Sequence, residues 1–113
     1  MTPRFAQQAL IAGLLVSWST ASIAATTSEL RSRGKALLQE NCSRCHAIEA
    51  HGKSPLEGAP PMRTIYARFA PRELQAELRE GMVSRHRAMP QIEFSDEDVD
   101  AILAYLYALA VRK

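Results

Sequence analysis

Two cysteines and a histidine lie within five consecutive residues, Cys42-Ser43-Arg44-Cys45-His46. Two thiols three positions apart on a helical turn lie on one side of it. Both can then add to the two vinyl groups on one edge of a haem, and the adjacent histidine can reach the iron. The C-x-x-C-H pattern is typical of covalent attachment of a c-type haem. It predicts one haem c linked through Cys42 and Cys45, with His46 as an axial iron ligand.

Other chemistries of this residue set are less well supported by the rest of the sequence. A thioredoxin-like redox pair requires a βαβ setting, and no stretch alternates with the period of a strand. A structural zinc site uses four ligands, and the remaining histidines, His51 and His86, lie at no familiar spacing from the pair. A disulfide between the two cysteines stays open for an exported protein.

The N-terminal segment has the pattern of an export signal. The first 28 residues contain one basic residue and no acid, and an apolar stretch covers residues 9–16. Small residues lead up to Ala24, so we expect a signal peptide over residues 1–24, with Ala25 as the neighbouring cleavage site. The apolar stretch is shorter than the roughly 20 residues that span a bilayer, which predicts no stable membrane insertion after cleavage. Residues 25–113 then form one domain in the periplasm.

Composition restricts the class of this domain further. With 14 Lys and Arg against 12 Asp and Glu, the net charge of +2 is too small for a typical nucleic-acid-binding protein. The length of 113 residues excludes a TIM barrel and a two-domain dinucleotide enzyme.

Hydrophobic periodicity predicts an all-α domain. We expect helices over 28–41 with Ser28 as N-cap, over 62–69, over 71–80 with Gly81 as terminator, and from Ser95 to the C-terminus. Residues 47–61 and 83–94 are expected to be loops. Gly34 lies on the apolar stripe of the first helix, so we expect it where that helix crosses the last one, near Leu103–Leu106. Tyr105 is expected on the flank of the last helix's apolar stripe.

The mature chain resembles a class I cytochrome c over essentially its whole length. The resemblance rests on CSRCH after an N-terminal helix, the loop sequence GAPPM at 58–62, the pair Met89-Pro90, and the final helix SDEDVDAILAYLYAL at 95–109. It implies a small cytochrome c fold of three to five helices around one covalently bound haem. It also implies an axial sulfur from Met89 and a carbonyl on the axial histidine from Pro60, with Pro61 as the fallback.

The sixth iron ligand is the least determined part of the site. Met89 lies in the loop before the last helix, and Pro90 restricts it to an extended conformation. His86 is the rival in the same loop, whereas His51 is expected at the surface. Met62 and Met82 are interpreted as packing residues.

His/Met ligation fills both axial positions, favours ferrous iron and leaves the domain without a binding vacancy. The expected function is therefore single-electron transfer between periplasmic redox proteins, with a dehydrogenase, oxidase or reductase as partner. The protein is expected to be a monomer or a small subunit and not itself an enzyme. Arg85 and Arg87 flank the Met89 loop and are expected to steer docking to an acidic patch. The alternative is a haem enzyme or ligand sensor with an open or His-ligated sixth position.

Overall fold

A computed structural model describes residues 19–81 and 88–112, with side chains from residue 26 onward. It contains four helices over those residues: α1 (Ser19–Asn41), α2 (Met62–Arg68), α3 (Pro71–Glu80) and α4 (Asp96–Val111). The predicted all-α class is confirmed. Within the described part of the chain, no helix combines the length and apolar character needed to cross a bilayer. Met82, Arg85, His86, Arg87 and most of the expected signal peptide lie outside the described residues.

The first helix is longer than its sequence pattern indicates. It already includes residues 19–27, the first that the structure describes, so the prediction of a start at Ser28 is wrong. Residues 19–27 contain no proline or glycine and several alanines, which have the highest helix propensity. Nothing in that stretch therefore ends the helix on its N-terminal side. The cleavage site expected after Ala24 or Ala25 falls inside α1 and stays a prediction.

The two short helices follow the expected boundaries closely. Helix α2 ends one residue earlier than predicted, at Arg68. Helix α3 begins with Pro71, whose fixed φ suits a first helical turn, and buries Leu74 and Leu78. Gly81 ends α3 with φ of 77°, a left-handed conformation that glycine adopts without steric cost. Residues 47–61 and 88–94 contain neither helix nor strand, as expected.

Helix α4 is capped and buried as its sequence predicts, with one exception. The Ser95 hydroxyl accepts a hydrogen bond from the Asp98 amide at 3.2 Å, which confirms the predicted N-cap. Ile102 and Leu106 are fully buried. Tyr105 is also buried, so the prediction that it lies on the flank is wrong. It follows Ile102 by three positions and shares its face, and its hydroxyl finds partners that make burial of the polar tip tolerable.

Helices α1 and α4 form the main packing interface of the domain. Gly34 is buried at their crossing, as predicted, but it faces Ala101 and Ile102 rather than the expected Leu103–Leu106. A Cβ on Gly34 would lie only 2.5 Å from the carbonyl carbon of Ala101. The crossing therefore sits where a glycine meets an alanine, because two small residues let the helix backbones touch. An Arg33–Asp98 ion pair of 2.7 Å joins the same helices.

Candidate haem-binding site

The C-x-x-C-H residues form one further turn at the end of α1. The amides of Cys45 and His46 donate to the carbonyl of Cys42 at 3.2 and 2.9 Å. Positions three and four apart on such a turn share a side, so all three side chains project the same way. Each of the three is half-buried, whereas Arg44 between them is exposed. The turn therefore brings two half-buried thiols and one half-buried imidazole close together.

The Cys42 thiol belongs to the edge of the apolar core. It packs against the buried cluster of the domain, and burial raises its pKa to about 11, with a smaller contribution from Cys45. Cys42 is therefore a neutral thiol near pH 7. No disulfide joins Cys42 to Cys45 in this structure.

The imidazole of His46 is oriented by a backbone carbonyl. Its Nδ1 lies 2.6 Å from the carbonyl oxygen of Pro60. When Nδ1 donates to that oxygen, the neutral ring leaves the lone pair of Nε2 for a metal. The carbonyl of Pro61, the expected fallback, instead accepts from the amides of Thr64 and Ile65 in α2. The contact between His46 and Pro60 is thus present, and the roles of both residues toward haem stay predictions.

The loop that carries Pro60 is tied down along its length. The Met62 amide donates to the carbonyl of Ala47 at 2.9 Å and closes the neck of the loop. The Arg63 guanidinium donates to the carbonyls of Glu49 and Gly52 at 3.1 and 2.8 Å. The sequence carries no signal for this role of Arg63, because its partners are backbone carbonyls that every residue has. His51, in the same loop, is exposed as expected.

Met89 lies in the segment between α3 and α4. It is half-buried in a turn immediately before Pro90. The amide of Phe94 donates to the carbonyl of Leu78 at 3.3 Å and attaches the end of this segment to α3. The rival ligand His86 lies outside the described residues. Ligation by Met89 stays a prediction.

A second polar network joins α4 and α1 to the residues after the motif. The Tyr105 hydroxyl lies 3.1 Å from the carbonyl of Ile48 and 3.2 Å from Oε2 of Glu49. Lys35 Nζ lies 2.7 Å from the other oxygen of Glu49 and, as a hydrogen-bond donor, lowers the pKa of that carboxyl. Burial, with Glu49 beside it, raises the pKa of Tyr105 to about 12. Sequence reasoning missed this network because it placed Tyr105 on the flank of α4. The spacing of three positions from Ile102 is the signal that could have placed its ring on the buried face.

These residues fit a covalently held haem. Two thiols could add to the vinyl groups of such a haem, and an imidazole with one nitrogen available and a half-buried thioether could serve as donors to its iron. Partly buried aromatic side chains pack against the same buried cluster as Cys42, namely Tyr66, Phe69 and Phe94. Among residues 26–81 and 88–112, no three side chains of His, Cys, Asp or Glu converge as ligands of a metal ion.

The helical fold and the C-x-x-C-H turn define a small c-type cytochrome. The family model of cytochrome c oxidase, cbb3-type, subunit III matches residues 29–106, which is 78 of the 113 residues. The chain belongs to this family of c-type cytochrome domains. Membership implies haem as cofactor and a role in electron transport. No curated protein and no solved structure matches the chain significantly.

Proposed function

We propose that the protein is an exported monohaem cytochrome that carries single electrons through iron ligated by His46 and Met89, with haem attached to Cys42 and Cys45. The observation that carries the proposal is the 2.6 Å contact between Nδ1 of His46 and the Pro60 carbonyl. A histidine held through one ring nitrogen presents the other in a set orientation, which is how proteins prepare an imidazole for a metal. The haem supplies iron that accepts and releases one electron.

The protein's own contribution is attachment, orientation and exclusion of water. The turn from Cys42 to His46 presents the thiols and the imidazole from one side. Met89 supports the proposal because it is half-buried and because the following Pro90 limits the backbone conformations open to it. A soft thioether favours ferrous iron and raises the reduction potential relative to two histidine ligands. Occupation of both axial positions favours electron transfer over binding of an exogenous ligand.

The partner we propose is an oxidase complex in the periplasm. The matching family is described as subunit III of a cbb3-type cytochrome c oxidase, and its match covers the motif turn and all four helices in part or in full. We infer that this chain passes electrons within such a complex, as a small subunit or as a carrier that docks on it. The export pattern of residues 1–24 supports the periplasmic location.

The visible spectrum of the ferric holoprotein tests the axial ligands. Cytochromes c with methionine on iron show a weak far-red charge-transfer band. We expect this band in the wild type and in His86→Ala, and its loss in Met89→Ala. His86→Ala is the matched control because it removes the rival ligand from the same loop. A wild-type protein without the band, or a band lost only in His86→Ala, would favour the enzyme or sensor alternative.

The partner is tested by fractionation of cells that contain the tagged full chain. Haem staining of native gels should show the chain in a complex that also consumes oxygen when supplied with a reduced donor. Recovery only as a free monomer, with the oxidase activity of the complex unchanged after deletion of the chain, would contradict the oxidase assignment.

A further inference from the structure

The backbone just after the motif is held by bonds from outside the motif. The carbonyl of Cys45 accepts from the Leu56 amide at 3.2 Å, and the Ala47 amide donates to the Ser54 hydroxyl at 3.0 Å. The carbonyl of Ala47 accepts from the amide of Met62. These bonds come from the loop itself and from the start of α2. They restrain the segment but do not attach it to the main helix pair.

Tyr105 supplies the attachment to that helix pair. Its hydroxyl reaches the carbonyl of Ile48, two residues beyond His46, from a position 57 residues later in the chain. Tyr105 and Ile48 are only 8% and 5% exposed, so the bond joins two buried residues. A buried carbonyl that loses its donor leaves an uncompensated polar group, which favours displacement of the backbone.

Glu49 and Lys35 hold the other side of the hydroxyl. Oε2 of Glu49 lies 3.2 Å from the Tyr105 oxygen, and Oε1 lies 2.7 Å from Lys35 Nζ. Lys35 follows Gly34, the residue at which α1 touches α4. The tyrosine, the glutamate and the lysine therefore connect both main helices to the segment that follows His46. The side chains of Glu49 and Lys35 are each about half exposed, so their ion pair alone adds little stability.

We propose that Tyr105 is a positioning residue for the axial histidine, an inference that rests on the proposed function. The Pro60 carbonyl, in the loop, fixes the orientation of the His46 imidazole. The Tyr105 hydroxyl, on α4, fixes the backbone at Ile48, two residues after His46. Since α1 and α4 meet backbone to backbone at Gly34 and Ala101, they form a rigid reference for this second restraint. Loss of the hydroxyl frees the segment while it leaves the aromatic ring in the core.

The test compares Tyr105→Phe with Tyr107→Phe in the full-length holoprotein. Tyr107 lies on the same helix but is 56% exposed, and its hydroxyl makes no hydrogen bond to the described residues, which makes it the matched control. The first readout is hydrogen exchange of the Ala47 and Met62 amides. The Ala47 amide donates to the Ser54 hydroxyl, and the Met62 amide donates to the Ala47 carbonyl. We expect roughly five- to tenfold faster exchange in Tyr105→Phe, the factor that corresponds to a typical net hydrogen-bond contribution, and no change in Tyr107→Phe.

The second readout is the orientation of the His46 imidazole. The paramagnetic shifts of the haem methyl groups in the ferric protein report this orientation. We expect them to move in Tyr105→Phe and to stay in place in Tyr107→Phe. Glu49→Gln, which weakens the bond to Lys35 and keeps the Ile48 bond, should move the same signals in the same direction but less. This variant also decides the matter if Tyr105→Phe does not mature.

Two results overturn the positioning role. One is identical behaviour of the two tyrosine variants, or unchanged signals in Glu49→Gln where it alone matures. The other is faster exchange of all α1 and α4 amides together with Ala47 and Met62, which indicates a merely global loss of stability. Failure of the proposed function has a different signature, because a wild type without methionine ligation still permits the exchange comparison at Ala47 and Met62.

Discussion

The backbone contact between Gly34 and Ala101 predicts the effect of Gly34→Ala. A Cβ at position 34 lies 2.5 Å from the carbonyl carbon of Ala101 and 3.0 Å from the Ile102 nitrogen, and the Ala101 oxygen is closer still. Ordinary van der Waals contact for a Cβ begins at 3.4 Å, so the Ala101 carbonyl carbon has to recede by about 0.9 Å. All three neighbouring atoms belong to the backbone of α4. No side-chain rotation can therefore relieve the clash.

The sign of the effect depends on two opposing contributions. Alanine is favoured over glycine in a helix interior by about 1 kcal/mol. Overpacking of a tight interface costs typically about 1–3 kcal/mol, and a contact between two rigid helix backbones lies toward the upper end of that range. We therefore expect Gly34→Ala to destabilise the domain by roughly 1–2 kcal/mol. For a domain of this size, each kcal/mol lowers Tm by about 4–8 °C.

The assay is thermal unfolding of the ferric holoprotein followed by circular dichroism. Ala36→Gly is the matched control, because Ala36 lies on the exposed face of α1 and reports the propensity contribution alone. We expect a lower Tm for both variants. For Gly34→Ala this is the opposite of the result at an exposed helix position, where alanine in place of glycine raises the free energy of unfolding. If Gly34→Ala melts at or above the wild-type temperature, the α1–α4 contact at Ala101 is refuted.

Two further predictions concern attachment and docking. Replacement of both Cys42 and Cys45 by alanine should abolish covalent haem, measured by haem staining of denaturing gels and by intact mass. Normal yield of covalently bound haem in that variant would contradict the attachment. Replacement of Arg85 and Arg87 by alanine should slow electron transfer to the partner at low salt and leave the haem spectrum intact, and the wild-type rate should fall as salt rises, since ions screen exposed charges beyond about 10 Å at 0.1 M. A wild-type electron-transfer rate that does not change with salt concentration would argue against steering by these two residues.

Local sequence signals correctly predicted the helix boundaries that depend on a proline, a glycine or a capping serine. Pro71, Gly81 and Ser95 act through φ restriction, a left-handed conformation and a side-chain cap, and each effect depends only on a residue and its immediate neighbours. The predicted start of α1 was wrong because Ser28, although a good N-cap residue, lies inside the helix. A cap residue permits a helix to begin but does not oblige it to begin there.

The predicted position of Tyr105 failed for a different reason. Hydrophobic periodicity predicts which face of a helix is buried from its apolar residues. A tyrosine is placed at the edge of that face when the sequence indicates no hydrogen-bond partner for its hydroxyl. Its partners are Ile48 and Glu49, which lie more than 50 residues earlier in the chain. Only the packing of α4 against α1 brings them within hydrogen-bond distance.

The sequence by itself determined the chemistry of this protein, because two thiols and an imidazole in five contiguous residues need no tertiary contact to be recognised. The tertiary structure decided which groups position these side chains. It joined His46 to Pro60 rather than Pro61, because the Pro61 carbonyl is occupied by the first turn of α2. It also placed the helix crossing at Ala101 and tied Ile48 to α4. These partners are mostly backbone groups, which every residue carries, so only their arrangement in space distinguishes them.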